Sequence, residues 1–175
     1  MIFNERLGLE EIPEGEKVIY REAVRAIIFN ASNQVVMVQI QEDGFQYQFP
    51  GGGLEDGEGH LETLKREAME EAGIIIKEDV QLIGVMEERR KSREVKDAYF
   101  VMKSTYYLCY IEAHTDQQLE DYEKELGFVP IEIDLEEAYE KNVAVLQQQA
   151  ATNPFTERDT YVLKCLLENT EIIKR

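Results

Sequence analysis

The chain has 175 residues, 43% of them hydrophobic, which suits one globular domain spanning residues 1–175 with a core of its own rather than a disordered segment. Lys plus Arg number 19 and Asp plus Glu number 36, so the formal net charge is −17; such a chain repels phosphate at long range, which argues against general binding to DNA, RNA or an anionic membrane. A phosphate-bearing substrate would need the local field neutralised first, and a divalent cation is the natural means.

In chain order, the start "MIFNERLGLEEIPEGEK" is too acidic and broken for a signal or transit peptide. No apolar run approaches the roughly 20 residues of a membrane-spanning helix. The segments "REAVRAIIFN" (21–30) and "QVVMVQIQ" (34–41) are strand-like around an Ala-Ser-Asn turn. A third short strand is expected in the alternating "GFQYQF" (44–49), after which "PGGGLEDGEG" (50–59) breaks regularity. A helix follows from about His60 to Ala72, with Gly73 as its stop. Residues 74–89, "IIIKEDVQLIGVMEER", are strand-prone around a turn, and "AYFVMKSTYYLCYIEA" (98–113) is the longest strand candidate, expected at the sheet centre. "LGFVPIEI" (126–133) reads as another strand. "DLEEAYEKN" (134–142) and "TERDTYVLKCLLEN" (156–169) read as helices, the last capped by Thr156 or Asn153. Cys109 and Cys165 lie in apolar surroundings without a partner motif, as buried thiols do, and the expected compartment is the cytoplasm. The elements mix without strict βαβ alternation, which predicts an α+β domain with αβα layers and a mixed sheet.

The helix at 60–72 gathers carboxylates. With about 100° per residue, Glu71 lies about 40° to one side of Glu67 and Glu70 about 60° to the other. Leu61, Leu64, Ala68 and Ala72 form an apolar stripe beside them. Like charges at neighbouring helix positions repel unless a cation sits there. The acidic arc borders the apolar stripe instead of opposing it, and a glycine-rich loop leads into the helix. Mg²⁺ takes one or two carboxylates together with water and phosphate oxygens, and glycine lets backbone approach a ligand closely. The pattern points to a cation-assisted polyphosphate site.

The segment from Gly52 to Ile74, "GGLEDGEGHLETLKREAMEEAGI", resembles the Nudix box, G-x5-E-x7-R-E-U-x-E-E-x-G-U, where U is a bulky aliphatic. Gly52, Glu58, Arg66, Glu67, Glu70, Glu71, Gly73 and Ile74 match it; Ala68, small where the motif has a bulky residue, is the one departure. The resemblance implies a Nudix fold and a hydrolase that cleaves the diphosphate bond of a nucleoside diphosphate linked to another group, using Mg²⁺ or Mn²⁺. It further implies metal ligands among Gly52 (or the carbonyl of Gly51), Glu58, Glu67, Glu70 and Glu71. On the same resemblance Glu67 would be a ligand or the base that orients water, and Arg66 would pair with a box glutamate and hold Glu67 in place. His60 has no role in the box. A further carboxylate is expected from "LEDYEKELGFVP", among Glu120, Asp121, Glu123 and Glu125, with Glu123 preferred and Glu112 as a rival. Phe128 falls where the family often has an aromatic. A homodimer is among the assemblies the resemblance implies.

The organic half of the substrate is not legible in the same way. The stretch "MEERRKSREVKDAY" has no proline of the kind that in this family accompanies ADP-ribose, and its Tyr99 comes too late to be the tyrosine that accompanies diadenosine polyphosphates. The aromatic-proline element of NADH-cleaving members is also absent. "RRKSREVK" sets five basic residues against Glu94, which makes Arg89 and Arg90 candidate phosphate contacts. Phe45, Tyr47, Phe100 and Tyr106 are candidates for stacking on a base. Two other classes fit the motif less well: a catalytically silent nucleotide-binding module, which would be expected to lack box glutamates, and an isopentenyl-diphosphate isomerase-like enzyme, which would need a reactive cysteine that the mid-strand Cys109 does not supply.

Overall fold

The computed structural model describes residues 1–9, 11–41, 44–148 and 154–172. Four strands form a mixed sheet in the order β1 (Phe3–Gly8), β6 (Gln81–Lys91), β7 (Ala98–Cys109), β2 (Lys17–Ile28). The outer pairs β1–β6 and β2–β7 are parallel, and β6–β7 in the middle is antiparallel. A second, antiparallel sheet holds β4 (Gln46–Gln48), β3 (Val35–Ile40) and β9 (Phe128–Ile133), and a two-stranded ribbon pairs β5 (Ile74–Ile76) with β8 (Ile111–His114). Four helices, α1 (His60–Ala72), α2 (Asp121–Leu126), α3 (Leu135–Gln148) and α4 (Pro154–Glu168), complete the described elements.

Successive strand side chains alternate faces, and β2 uses both. Val24, Ala26 and Ile28 meet Leu64, Ala68 and Ala72 of α1 in one core, while Ile27 joins Phe49, Tyr106 and Leu163 of α4 in the other. The layers are therefore α1, sheet, then α3 and α4, the expected αβα arrangement. Cys109 and Cys165 are both buried and free, as expected.

Four elements differ from the sequence reading. β1 was not expected; it forms because Phe3 enters the core and the backbone pairs in parallel with β6, a long-range event that local pattern does not report. The strand expected over 98–113 breaks at Tyr110, where the chain leaves β7 so that β8 can pair with β5. The loop expected before the late strand contains α2, whose first-turn Glu123 carboxylate accepts the Glu120 N–H at 2.7 Å and whose end is turned by Gly127 in the left-handed region (φ 67). α4 begins at Pro154, so Thr156 lies inside its first turn instead of capping it; Asn153, the other expected cap, lies outside the described residues.

Candidate active site

The glycine-rich loop is laid along the free edge of β2. The N–H groups of Val24 and Ala26 donate to the carbonyls of Gly52 and Pro50 (3.0 and 2.8 Å), and Leu54 N–H donates to Glu22 (3.1 Å). Two of its glycines are required by close packing. Gly51, at φ 145, has no room for a Cβ against the Val24 carbonyl, and a Cβ on Gly52 would strike the Glu67 carboxylate. The loop is thereby pressed between β2 and α1.

α1 delivers Glu67 and Glu71, one turn apart, into this seam. Gly51 N–H donates to Glu71 Oε2 at 2.7 Å. From the opposite side α2 brings Glu123, which is only 3% exposed. Carboxylate oxygens of Glu67, Glu71 and Glu123 lie within 4.8 Å of one another. Burial pushes the Glu71 carboxyl well above its ordinary range, reinforced by the nearby Glu67 and Glu123 and only partly opposed by the Gly51 N–H and Arg25. Burial raises Glu67 as well, against the pull of Arg66 and Arg25. Three buried, mutually repelling carboxylates with hard oxygen donors suit a divalent cation.

The other box residues serve Arg66. Its guanidinium grips Glu58 through two bonds of 2.8 Å, and also reaches Glu67 Oε1 (2.7 Å), Glu70 Oε2 (3.2 Å) and the Gly53 carbonyl (3.3 Å). Glu58 further accepts from Thr63 Oγ1 and Glu55 N–H, and Arg66 above all draws its carboxyl down to about 2. Glu58 and Glu70 thus sit on Arg66, outside the three-carboxylate cluster, and Glu58 staples the loop to the helix. The Gly52 carbonyl is engaged by β2, and that of Gly51 accepts a hydrogen bond from Arg25. His60, which has no role in the box, is half-buried, its Nδ1 2.7 Å from the Tyr107 hydroxyl and its Nε2 3.1 Å from Glu22.

Beside the cluster opens a cleft of about 510 Å³ that Glu71 and Gly51–Gly53 border. Its lining is cationic and amide-bearing at Arg21 and Arg25 of β2 and Gln46 and Gln48 of β4, and apolar at Tyr122, Leu126, Phe128, Phe155 and Met102. The four substrate contacts expected from sequence are not among its lining. Tyr47 is buried in the core, its hydroxyl accepting from Gln39 and Lys141. Phe45 is exposed at a positive-φ turn before β4. Arg89 pairs with Glu87 at 2.7 Å, and Arg90 stacks on Phe100, 4.4 Å from its centroid. Tyr106, the other stacking candidate, is fully buried and donates to Asp159. Of the acids expected outside the box, Glu123 joins the cluster and Glu120 lines the cleft, whereas Asp121, Glu125 and Glu112 are exposed.

Arg21 and Arg25 escaped the sequence reading. The signal was present: two cations four residues apart on the strand face whose later residue, Ile27, is core, so that Arg25, between Ala23 and Ile27, needs polar surroundings when buried.

Residues 19–158 match the family model of the NUDIX domain. Among curated proteins, Nudix hydrolase 13, mitochondrial, of Arabidopsis thaliana is 36% identical over 93 residues, 52% of this chain and 40% of that protein; the match thus spans less than half the relative's length. Among solved structures, a NUDIX hydrolase from Nitrosomonas europaea aligns with TM-score 0.56 at 19% identity, covering 90% of this chain and 92% of the other. An ADP-ribose pyrophosphatase from Streptococcus suis aligns with TM-score 0.53 at 16% identity, covering 86% and 91%. At these identities the two structures speak for the fold alone. Among the described residues no helix is long and apolar enough to cross a membrane.

Proposed function

The chain belongs to the NUDIX domain family, and from that premise we propose that it is a Mg²⁺- or Mn²⁺-dependent hydrolase of the diphosphate bond in a nucleoside triphosphate or nucleoside diphosphate derivative. The observation that carries this reading is the convergence of Glu67, Glu71 and Glu123 beside a cleft that Glu71, Arg21 and Arg25 line together. Net charge −17 would otherwise repel such a substrate, and a cation held by the three carboxylates together with the two arginines reverses the local sign. When bound, the divalent ion supplies Lewis acidity toward the phosphate oxygens and lowers the pKa of water.

The chain's own residues do the rest. Arg66 fixes the Glu67 rotamer, and the Gly51 N–H fixes Glu71. Arg25, tied to the Gly51 carbonyl, and Arg21, against Gly53, draw phosphoryl oxygens to the loop. A carboxylate of the cluster takes the proton of the attacking water as its oxygen bonds to phosphorus and the bridging P–O bond breaks, the electron pair leaving with the departing phosphate. The apolar part of the lining takes the organic half. The buried free thiols suit the cytoplasm.

The test is purified protein with Mg²⁺ and a panel of nucleoside triphosphates, oxidised dGTP, nucleotide sugars, ADP-ribose, dinucleoside polyphosphates and 5′-triphosphate RNA, with Glu71→Gln as control. Turnover by the wild type that the variant loses is the expected result. No turnover on any compound, or equal turnover by the variant, overturns the proposal; tight nucleotide binding without turnover assigns a silent binding module instead.

A further inference from the structure

The following rests on the cation-site reading above. Glu67 and Glu71 are set by α1, a helix of 13 residues packed on the sheet. Glu123 comes from α2, with only six residues, so its carboxylate depends on what grips it locally. The Glu120 N–H holds Oε2 at 2.7 Å, and the hydroxyl of the adjacent Tyr122 donates to Oε1 at 3.1 Å. One grip is main chain and belongs to the helix start. The other is a side chain that stands in the cleft: Tyr122 is 53% exposed yet lines the cavity, its ring edge-on to Phe128 at 6.4 Å and 77°.

We propose that Tyr122 is a positioning residue for the cation site, its hydroxyl holding the Glu123 carboxylate toward Glu67 and Glu71 while its ring, backed by Phe128, is the cleft wall that takes a planar nucleobase. The residue joins the half of the site that reads phosphate to the half that reads the base. The hydroxyl bonds to no main-chain group of α2, whose start is closed by the reciprocal Glu120–Glu123 capping box and whose end is closed by Gly127, with its N–H on the Glu123 and Lys124 carbonyls. Its removal therefore leaves the Glu120 N–H on Oε2 and releases only the second carboxylate oxygen, Oε1.

The experiment uses the full chain, Tyr122→Phe and Tyr122→Leu, Mn²⁺ binding followed by electron paramagnetic resonance of the free ion, and the non-hydrolysable probes α,β-methylene-ATP and α,β-methylene-GTP at saturating Mn²⁺. Removing a group that orients a ligating carboxylate weakens metal binding by about 10- to 100-fold, so Tyr122→Phe raises the Mn²⁺ Kd about tenfold. It leaves the nucleotide Kd within about twofold, because the stacking face is kept. Tyr122→Leu shows the same Mn²⁺ loss and also weakens the bound analogue about tenfold. Wild-type Mn²⁺ affinity in Tyr122→Phe overturns the positioning role, as does a fall in its melting temperature in EDTA, which would make the hydroxyl a prop of α2. Equal analogue binding by the two variants, or no binding of either analogue by the wild type, overturns the ring's role. No saturable Mn²⁺ binding by the wild type strikes at the cation-site reading itself and is distinguishable from all of these.

Discussion

Two groups of buried acids lie close together in this molecule and are built on opposite plans. Under the cleft floor, Glu88 of β6 and Asp159 of α4 share Arg158, with N–O distances of 3.1 and 2.9 Å, and Asp159 also accepts the Tyr106 hydroxyl at 2.7 Å and the Phe49 N–H at 3.3 Å. That network carries its own cation and is closed. At the cleft edge, Glu67, Glu71 and Glu123 converge with less compensation: Arg66 is divided among Glu67, Glu58 and Glu70, and Arg25 is turned to the Gly51 carbonyl. Buried acid alone is thus no mark of function. What separates the two groups is how much counter-charge the fold itself supplies, and on the proposed function a cation would make up the rest at the cleft edge.

The difference can be broken most forcefully at Arg158. Arg158→Met strands two carboxylates in the core and is expected to cost about 3–5 kcal/mol of stability by urea unfolding, with no recovery on adding Mg²⁺; a variant as stable as wild type would erase the distinction. At the open cluster the effects fall on activity. Glu71→Gln is expected to lower turnover by at least about 100-fold, while its unfolding in EDTA occurs at the same temperature or higher, because the amide stands in for the protonated acid that burial favours.

The same contrast has a pH signature. A carboxyl raised in the folded state contributes most below its unfolded value, 4.5 for Glu71, and that contribution is lost as pH rises through the folded value. Metal-free wild type should therefore lose stability as pH climbs above 4.5, by at most about 1.4 kcal/mol per pH unit for one such group. Glu71→Gln should show a shallower slope, and Mg²⁺ should flatten the wild-type slope toward the variant's; parallel slopes in EDTA would refute the assignment. Glu58 runs the opposite way: held at about 2, its pairing with Arg66 is present above 4.5 and lost only as pH falls through about 2. The mildest effect belongs to the cationic part of the lining, where Arg21→Ala should raise KM about tenfold with kcat little changed, as loss of uniform phosphate binding does. A fall in kcat with constant KM would move Arg21 from binding to the chemical step.

The helix of the glutamate motif was legible because its information is local. Three-, four- and one-residue spacings place Glu67, Glu70 and Glu71 on one arc wherever α1 packs, and Gly73 ends the helix with its left-handed φ of 64. Glu123 was reachable only as one of several acids near a late strand, since α2 is short and its capping group is the Glu123 carboxylate itself. The basic hairpin and the strand aromatics were chosen by composition, and composition carries no direction: Arg89 turns to Glu87, Arg90 to Phe100, and Tyr47 to the core.

By itself, then, the amino-acid sequence determined the layered class, the loop-and-helix motif and the acidic arc of its helix, all of which follow from element order or from spacing within one element. Tertiary structure decided which carboxylates meet. It drew Glu58 and Glu70 to Arg66, brought Glu123 across from a helix about fifty residues away, and set Arg21, Arg25 and Tyr122 around the cleft. The physical reason is reach: a helix fixes neighbours three and four residues apart, but a charge cluster assembled from separate elements exists only once the sheet and its two cores have fixed their distances.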